Sequence, residues 1–297
     1  MKILLFSIEG NIGSGKSTFI KNLKKIDFSN RIKGRRDLSA MIEPPWKVIY
    51  LSEPVGEWTD IKDEGGETIL EKFYKNQNRY SFAFQMMAYI SRINQLMETI
   101  ERLKRENERG EREEKETYKN EEKYIIITER SVYTDKNVFA KMLRDDGKIE
   151  SVEYQIYLKW FDNFTKNIEF NGNIYLQTDT KVCEERIKKR NRPGENMSAE
   201  YLNNCNLYHD NWLMGDDYRE KILRINGNED YDEKLPEKWL DETIKYINSC
   251  ITEILLSDSY SRLSLWQQGV RTWTDFNWVG RRKYPIGGSD LDLSNAI

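Results

Sequence analysis

Gly10, Asn11, Ile12, Gly13, Ser14, Gly15, Lys16 and Ser17 together fit the pattern G-x-x-x-x-G-K-[ST]. A loop of this composition turns successive backbone N–H groups inward, toward the oxygens of a polyphosphate, and the helix after it adds a positive end. Lys16 brings a point charge for the β- and γ-phosphates. Ser17 brings a hydroxyl able to ligate Mg²⁺, and Thr18 follows in the same turn. The pattern specifies a triphosphate donor and leaves the acceptor open.

Two more stretches carry carboxylates that could work beside such a loop: Ser52-Glu53-Pro54-Val55-Gly56-Glu57-Trp58 and Thr128-Glu129-Arg130-Ser131. Each follows an apolar run that reads as a strand, and in a parallel sheet ligands gather at the carboxyl ends of strands. Glu53 there can accept the proton of an attacking hydroxyl. Glu129 can bind Mg²⁺, and Arg130 can hold either phosphate or Glu53. Taken singly, each also reads as a solvated polar residue beside a turn. Taken together, three motifs at three strand ends read as one active site.

Between them lies an aromatic helix in which Phe82, Phe84 and Gln85 fall within one turn, with Arg92 two turns further on. An aromatic stripe at helical spacing is ordinary core packing, but a glutamine inside it needs a partner. Its amide offers one donor and one acceptor to a nucleobase edge, while a phenyl ring covers the base face. Further along, Arg186, Lys188, Lys189, Arg190 and Arg192 form a basic cluster. It reads either as a solvated helix face or as a lid whose guanidinium forks close over a transferring phosphoryl group.

The elements that would position these groups alternate. Strands are expected at Ile3–Ile8, Lys47–Ser52, Tyr124–Thr128, Asn173–Gln177 and Ile222–Ile225. Helices are expected near Lys16–Lys25, Ile69–Lys75, Ser81–Leu103, Val182–Lys189, Ala199–Leu213 and Lys238–Leu255. That alternation implies an α/β domain, a five-stranded parallel sheet surrounded by helices. Lys104–Glu122 is almost wholly charged and reads as a solvated helix extension or loop. The domain is expected to span residues 1–255, and a Trp-rich extension, 256–297, to follow. In that extension Leu263, Trp266, Val270 and Trp273 recur at steps of three and four, which predicts a docked helix.

Composition narrows the classes. The 297 residues are 38% hydrophobic and 12% aromatic, enough for a sizeable core, and a formal charge of −3 argues against a protein that coats nucleic acid. Cys183, Cys205 and Cys250 form no metal or disulfide pattern, and the single histidine, His209, reads as an ordinary helix residue. No apolar run approaches the ~18 residues of a membrane span, and no signal peptide is read, so a cytoplasmic location is expected.

In order along the chain, these motifs resemble the deoxynucleoside kinase family. The likeness runs from Gly10–Ser17 through E-P-V-x-x-W (Glu53–Trp58), F-x-F-Q (Phe82–Gln85) and E-R-S-V-Y (Glu129–Tyr133). It continues through Y-L-Q (Tyr175–Gln177), R-I-x-x-R-x-R (Arg186–Arg192) and N-E-D (Asn228–Asp230). The resemblance implies a P-loop kinase fold with strand order 2-3-1-4-5, ATP with Mg²⁺ as donor, a deoxynucleoside acceptor and a homodimer formed through helices. It implies Glu53 as general base, Arg130 as its partner, and Gln85 with Phe84 at the base. Tyr74 and Glu195 would bind the sugar 3′-hydroxyl, Arg190 and Arg192 would act in the lid, and Asp230 and Tyr231 would meet the donor adenine. Arg92 with Asp135 is similar to the deoxycytidine/deoxyguanosine branch, and a thymine methyl would meet a charged wall there. The insertion Lys104–Glu122, the enlarged segment Arg31–Trp46 and the tail depart from the family pattern.

Two rival readings carry different chemistry. A thymidylate kinase-like nucleoside monophosphate kinase shares the loop and lid but needs extra cations for the acceptor phosphate. A GTPase-type switch needs N-K-x-D and D-x-x-G, and Asn76 stands without such companions.

Overall fold

Strands β1 (Lys2–Glu9), β2 (Lys47–Leu51), β3 (Lys123–Glu129), β4 (Gly172–Gln177) and β5 (Ile222–Asn226) form one sheet in the order β2-β3-β1-β4-β5. Every pairing is parallel, with Ile8 opposite Glu129, Tyr50 opposite Ile127 and Tyr175 opposite Arg224. The computed structural model describes residues 1–26, 31, 46–113, 122–192, 197–215, 222–231 and 234–267. The expected strand order is the observed one. Strand β3 is buried along its whole length, and central β1 is buried from Leu4 onward, as continuous Ile/Leu runs require between two helical layers.

The helices are α1 (Lys16–Lys24), α2 (Val55–Asp60), α3 (Ile69–Lys75), α4 (Gln77–Glu113), α5 (Val132–Thr134), α6 (Lys141–Asp145), α7 (Ser151–Thr165), α8 (Thr180–Arg190), α9 (Ala199–Leu213) and α10 (Glu237–Gln267). A π-helical segment, Asp135–Ala140, joins α5 to α6. Helix α4 runs well past the expected Leu103, so the charged stretch continues it as far as Glu113. Helix α7 lies where the sequence predicts no element. Tyr157 and Phe161 are buried while Val152, Ile156, Trp160 and Phe164 face out, so its apolar residues spread beyond a single buried stripe. Inside, α4 meets α7 through Tyr89, whose ring lies 5.7 Å from Tyr157 and 5.5 Å from Phe161.

His209 is fully buried in α9, stacked on Tyr175, and its Nδ1 bonds the Cys205 carbonyl at 2.7 Å. Burial lowers its pKa to about 3, so the ring stays neutral. The chain divides into two units, Met1–Glu253 and Ile254–Ile297, and the boundary falls within α10. Leu263 and Trp266 lie on α10, whereas Val270, Trp273 and Trp278 lie outside the described residues. Among the described residues no helix is long and apolar enough to cross a membrane.

Candidate active site

The carboxyl ends of β1, β2 and β3 converge on one cavity of about 900 Å³. At its floor the loop from β1 to α1 turns through Gly10 (φ 143°), Gly13 (φ 79°) and Gly15 (φ 98°). A Cβ at Gly13 would come within 2.6 Å of the Cys183 carbonyl, so both the backbone angle and the space require glycine. The Lys16 ammonium is held inside this loop, donating to the Asn11 carbonyl at 2.6 Å and the Gly10 carbonyl at 3.1 Å. Burial lowers its pKa to about 7, assisted by the nearby charge of Arg130 and opposed by Glu129 and Glu53. Asn11 braces the loop against α9, donating to the Leu202 carbonyl at 2.9 Å and to Asn206 at 2.7 Å.

Ser17, in the first turn of α1, donates from Oγ to Glu129 Oε1 at 2.6 Å. The pair sets a hydroxyl and a carboxylate side by side at the phosphate loop. Such a hard-oxygen donor set suits Mg²⁺, which takes few protein ligands and completes its shell with water and phosphate.

A buried charge network faces the loop. Glu53, just after β2, accepts from Arg130 Nη1 at 2.8 Å and from Arg92 Nη2 at 3.1 Å, both on Oε1. Arg92 also donates from Nε to Asp135 Oδ2 at 2.9 Å and from Nη1 to the Glu129 carbonyl at 2.9 Å. Burial alone would push the Glu53 carboxyl up, but Arg130, Arg92 and Lys16 hold it down at about 2. Burial also pushes Asp135 up, against the pull of Arg92. The Arg92 guanidinium, which burial would neutralise, is kept protonated by Asp135 and Glu53.

Above this network stands an aromatic box. Phe73 stacks on Phe84 with centroids 4.6 Å apart, and Trp58 meets Phe84 edge-on at 5.5 Å. Trp58 is fixed by its indole N–H, which donates to Ser91 Oγ at 2.9 Å. Phe139 closes another wall beneath the Arg130 guanidinium, 5.2 Å from its ring. Gln85 lies among them, almost wholly buried, and its Oε1 has no hydrogen-bond partner among the described residues. A buried amide oxygen without a protein partner can accept from a group bound in the cavity.

At the far end of the cavity Arg186 holds the β5–α10 loop to the phosphate loop. Its Nη1 donates to the carbonyls of Gly227 at 2.8 Å and Ser14 at 3.3 Å, and its Nη2 donates to the Glu229 carbonyl at 2.9 Å and Asp230 Oδ1 at 3.1 Å. Tyr231 adds a bond from its hydroxyl to the Gly15 carbonyl at 3.0 Å.

With that geometry in view, comparison with known proteins is decisive: the model of the deoxynucleoside kinase family matches residues 6–248. The chain belongs to that family. Deoxycytidine kinase of Homo sapiens is 30% identical over 258 residues, covering 78% of this chain and 87% of the relative. Deoxycytidine kinase 2 of Gallus gallus is 30% identical over 265 residues, covering 80% and 88%. The mitochondrial deoxyguanosine kinase of Xenopus laevis is 26% identical over 228 residues, covering 72% and 74%. The chain thus lies on the deoxycytidine/deoxyguanosine kinase-like branch.

In this deoxynucleoside kinase family member the cavity gathers most of the residues singled out in the sequence. Ile12, Gly13, Gly15, Lys16, Ser17 and Thr18 line the phosphate-loop end, and Arg190, Arg192, Asp230 and Tyr231 also line the cavity. Glu53, Tyr74, Phe84, Gln85, Arg92, Glu129, Arg130 and Asp135 line the rest. Gly10, Asn11 and Ser14 stand behind the wall and shape the loop from within. Glu195 lies outside the described residues. The sequence gives no role to Trp58 or Phe139, and it marks Arg186 as a member of the basic cluster, a solvated face or a lid, where the structure has it tie the β5–α10 loop to the phosphate loop. Trp58 and Arg186 stand inside quoted motifs, so their spacing was a usable signal. Phe139 is one aromatic among many, and only the π-helical turn that carries it sets it apart.

Proposed function

We propose that the protein transfers the γ-phosphate of ATP to the 5′-hydroxyl of a deoxynucleoside, with deoxycytidine or a purine deoxynucleoside favoured over thymidine. The observation that carries this reading is Glu53: an ionised carboxylate, bonded to Arg130 and Arg92, in one cavity with the phosphate-loop lysine and a glutamine lacking a partner. On this reading the chain has a P-loop kinase fold. The aromatic box takes the base, Gln85 reads its edge, and Tyr74 is placed for the sugar.

Glu53 accepts the 5′-hydroxyl proton as the new O–P bond forms. Arg130, Arg92 and Lys16 keep it ionised despite its burial, so it meets the hydroxyl as a carboxylate. It orients the hydroxyl toward the donor phosphate and takes up its proton in the transition state. Arg130 fixes the direction of Glu53. Lys16, Arg190 and Arg192 offset charge on the transferring phosphoryl oxygens. Ser17 and Glu129 would hold Mg²⁺, which when bound neutralises donor phosphate charge. Arg92 with Asp135 forms the polar wall that disfavours a thymine methyl.

The reading extends to a homodimer. Val152, Ile156, Trp160 and Phe164 recur every four residues on α7 and are exposed by 61, 44, 47 and 47%. Ile90 and Met97 on the neighbouring α4 are exposed too. A second copy applying the same face would cover this ridge as an isologous interface.

The function is tested by offering the four deoxynucleosides and their monophosphates separately with Mg²⁺–ATP at fixed concentration. Formation of a 5′-monophosphate from at least one non-thymidine deoxynucleoside is the expected result. Turnover confined to the monophosphates would replace this reading with that of a monophosphate kinase.

A further inference from the structure

Glu9 is the last residue of β1, fully buried, and outside the lining of the active-site cavity. Its carboxylate accepts from the Ser131 backbone N–H at 2.9 Å on Oε1 and from the Thr134 hydroxyl on Oε2. A buried carboxylate spanning two donors on a neighbouring segment is a costly feature for a strand end unless the span itself matters.

What it spans is the bend at Arg130. That residue has φ 61°, the left-handed region that an L side chain rarely adopts. The exit of β1 grips it from three successive residues. The Ile8 carbonyl accepts from the Arg130 backbone N–H at 3.0 Å, and the Glu9 side chain holds the next N–H, that of Ser131. The Gly10 carbonyl accepts from Arg130 Nη2 at 3.3 Å. With the backbone so clamped, the guanidinium leaves the end of β3 toward Glu53, which it reaches at 2.8 Å. The second bond, to Thr134, ties the carboxylate to α5 and so sets the distance between that helix and β1.

We propose that Glu9 is a positioning residue for phosphoryl transfer: by bridging Ser131 and Thr134 it fixes the left-handed bend that aims Arg130 at Glu53. The proposal rests on the reading of Glu53 and Arg130 as the proton-accepting pair. It assigns to Glu9 a geometric task, in which the reach of the side chain matters and its charge does not.

Two substitutions separate reach from charge. Glu9→Gln keeps the length; its amide oxygen can accept from Ser131 N–H and its NH₂ can donate to Thr134 Oγ1. Glu9→Asp keeps the charge and loses one methylene of reach. The expected result is kcat within about threefold of wild type for Glu9→Gln, and a fall of about tenfold or more for Glu9→Asp with the nucleoside KM little changed, since sub-ångström misplacement acts on the transition state. Retained kcat in Glu9→Asp, or a loss in Glu9→Gln as large as in Glu9→Asp, would overturn the proposal. Crystal structures of both variants decide the same point without activity. Arg130 displaced from Glu53 in the Asp variant and in place in the Gln variant supports the positioning role; Arg130 in place in both refutes it. If the wild type phosphorylates no deoxynucleoside at all, the functional reading fails, and the two variant structures still decide whether Glu9 aims Arg130.

Discussion

Replacing Arg92 by methionine removes four hydrogen bonds at once: two to Asp135, one to Glu53 and one to the Glu129 carbonyl. It leaves Asp135, which is buried, without its cation. Breaking a buried ion pair from one side destabilises by about 3–5 kcal/mol, because the remaining charge is uncompensated. For a chain of this size that corresponds to a melting temperature lower by on the order of 10 °C. Asp135→Ala is milder, because Arg92 keeps Glu53 and the Glu129 carbonyl, and about 1–3 kcal/mol is expected. The double variant, Arg92→Met with Asp135→Ala, carries no orphaned charge at position 135 and should recover at least about 2 kcal/mol relative to the sum of the singles. Thermal and urea melts of the four proteins close the cycle, and acceptor assays on the same samples read specificity. The double variant should shift toward thymidine, since the charged wall is gone. Stability losses that simply add, to within about 0.5 kcal/mol, together with an unchanged acceptor ranking, would refute the reasoning.

Three more outcomes follow from the geometry. Lys16, lowered by burial to about 7, is largely neutral at pH 8, and a bound triphosphate should restore its proton. Donor binding at pH 8 should therefore take up about one proton, and far less at pH 6; calorimetric enthalpies that do not vary with the ionisation enthalpy of the buffer would contradict this. Gln85→Met removes a buried oxygen that has no partner, so the free protein should melt no lower than wild type while nucleoside affinity falls about tenfold or more, measured by titration. Trp160→Glu places a charge in the exposed ridge of α7 and should turn a dimer into a monomer in sedimentation analysis, whereas a wild type that is already monomeric would remove the proposed interface.

The strands and the phosphate loop were legible because each is written locally. An unbroken Ile/Leu run, a glycine turn and a lysine need no distant residue to be recognised. Helix α7 was not legible, since its apolar residues run from the buried side onto the exposed one and blur the stripe. The charge network was legible in its members and not in its wiring: Arg92 was expected beside the base with Asp135, and its bond to Glu53, 39 positions away, exists only because α4 passes the end of β2. Glu9 gave no signal of its own, because a carboxylate before a glycine loop looks the same whether it faces water or clamps a neighbouring strand end. Nothing in the composition of Glu129-Arg130-Ser131 announces the left-handed backbone at Arg130, although that bend is what turns a sequence motif into an aimed guanidinium.

The central claim is that Glu53 receives the proton of the attacking hydroxyl. Its most direct test is kcat for Glu53→Gln on the best deoxynucleoside acceptor, with nucleoside affinity measured on the same samples by calorimetric titration. The account predicts a fall in kcat of about 10²–10⁴ with affinity largely intact. A variant that keeps more than about half of the wild-type kcat would contradict it, because general-base catalysis cannot be so small a part of the rate if Glu53 supplies it.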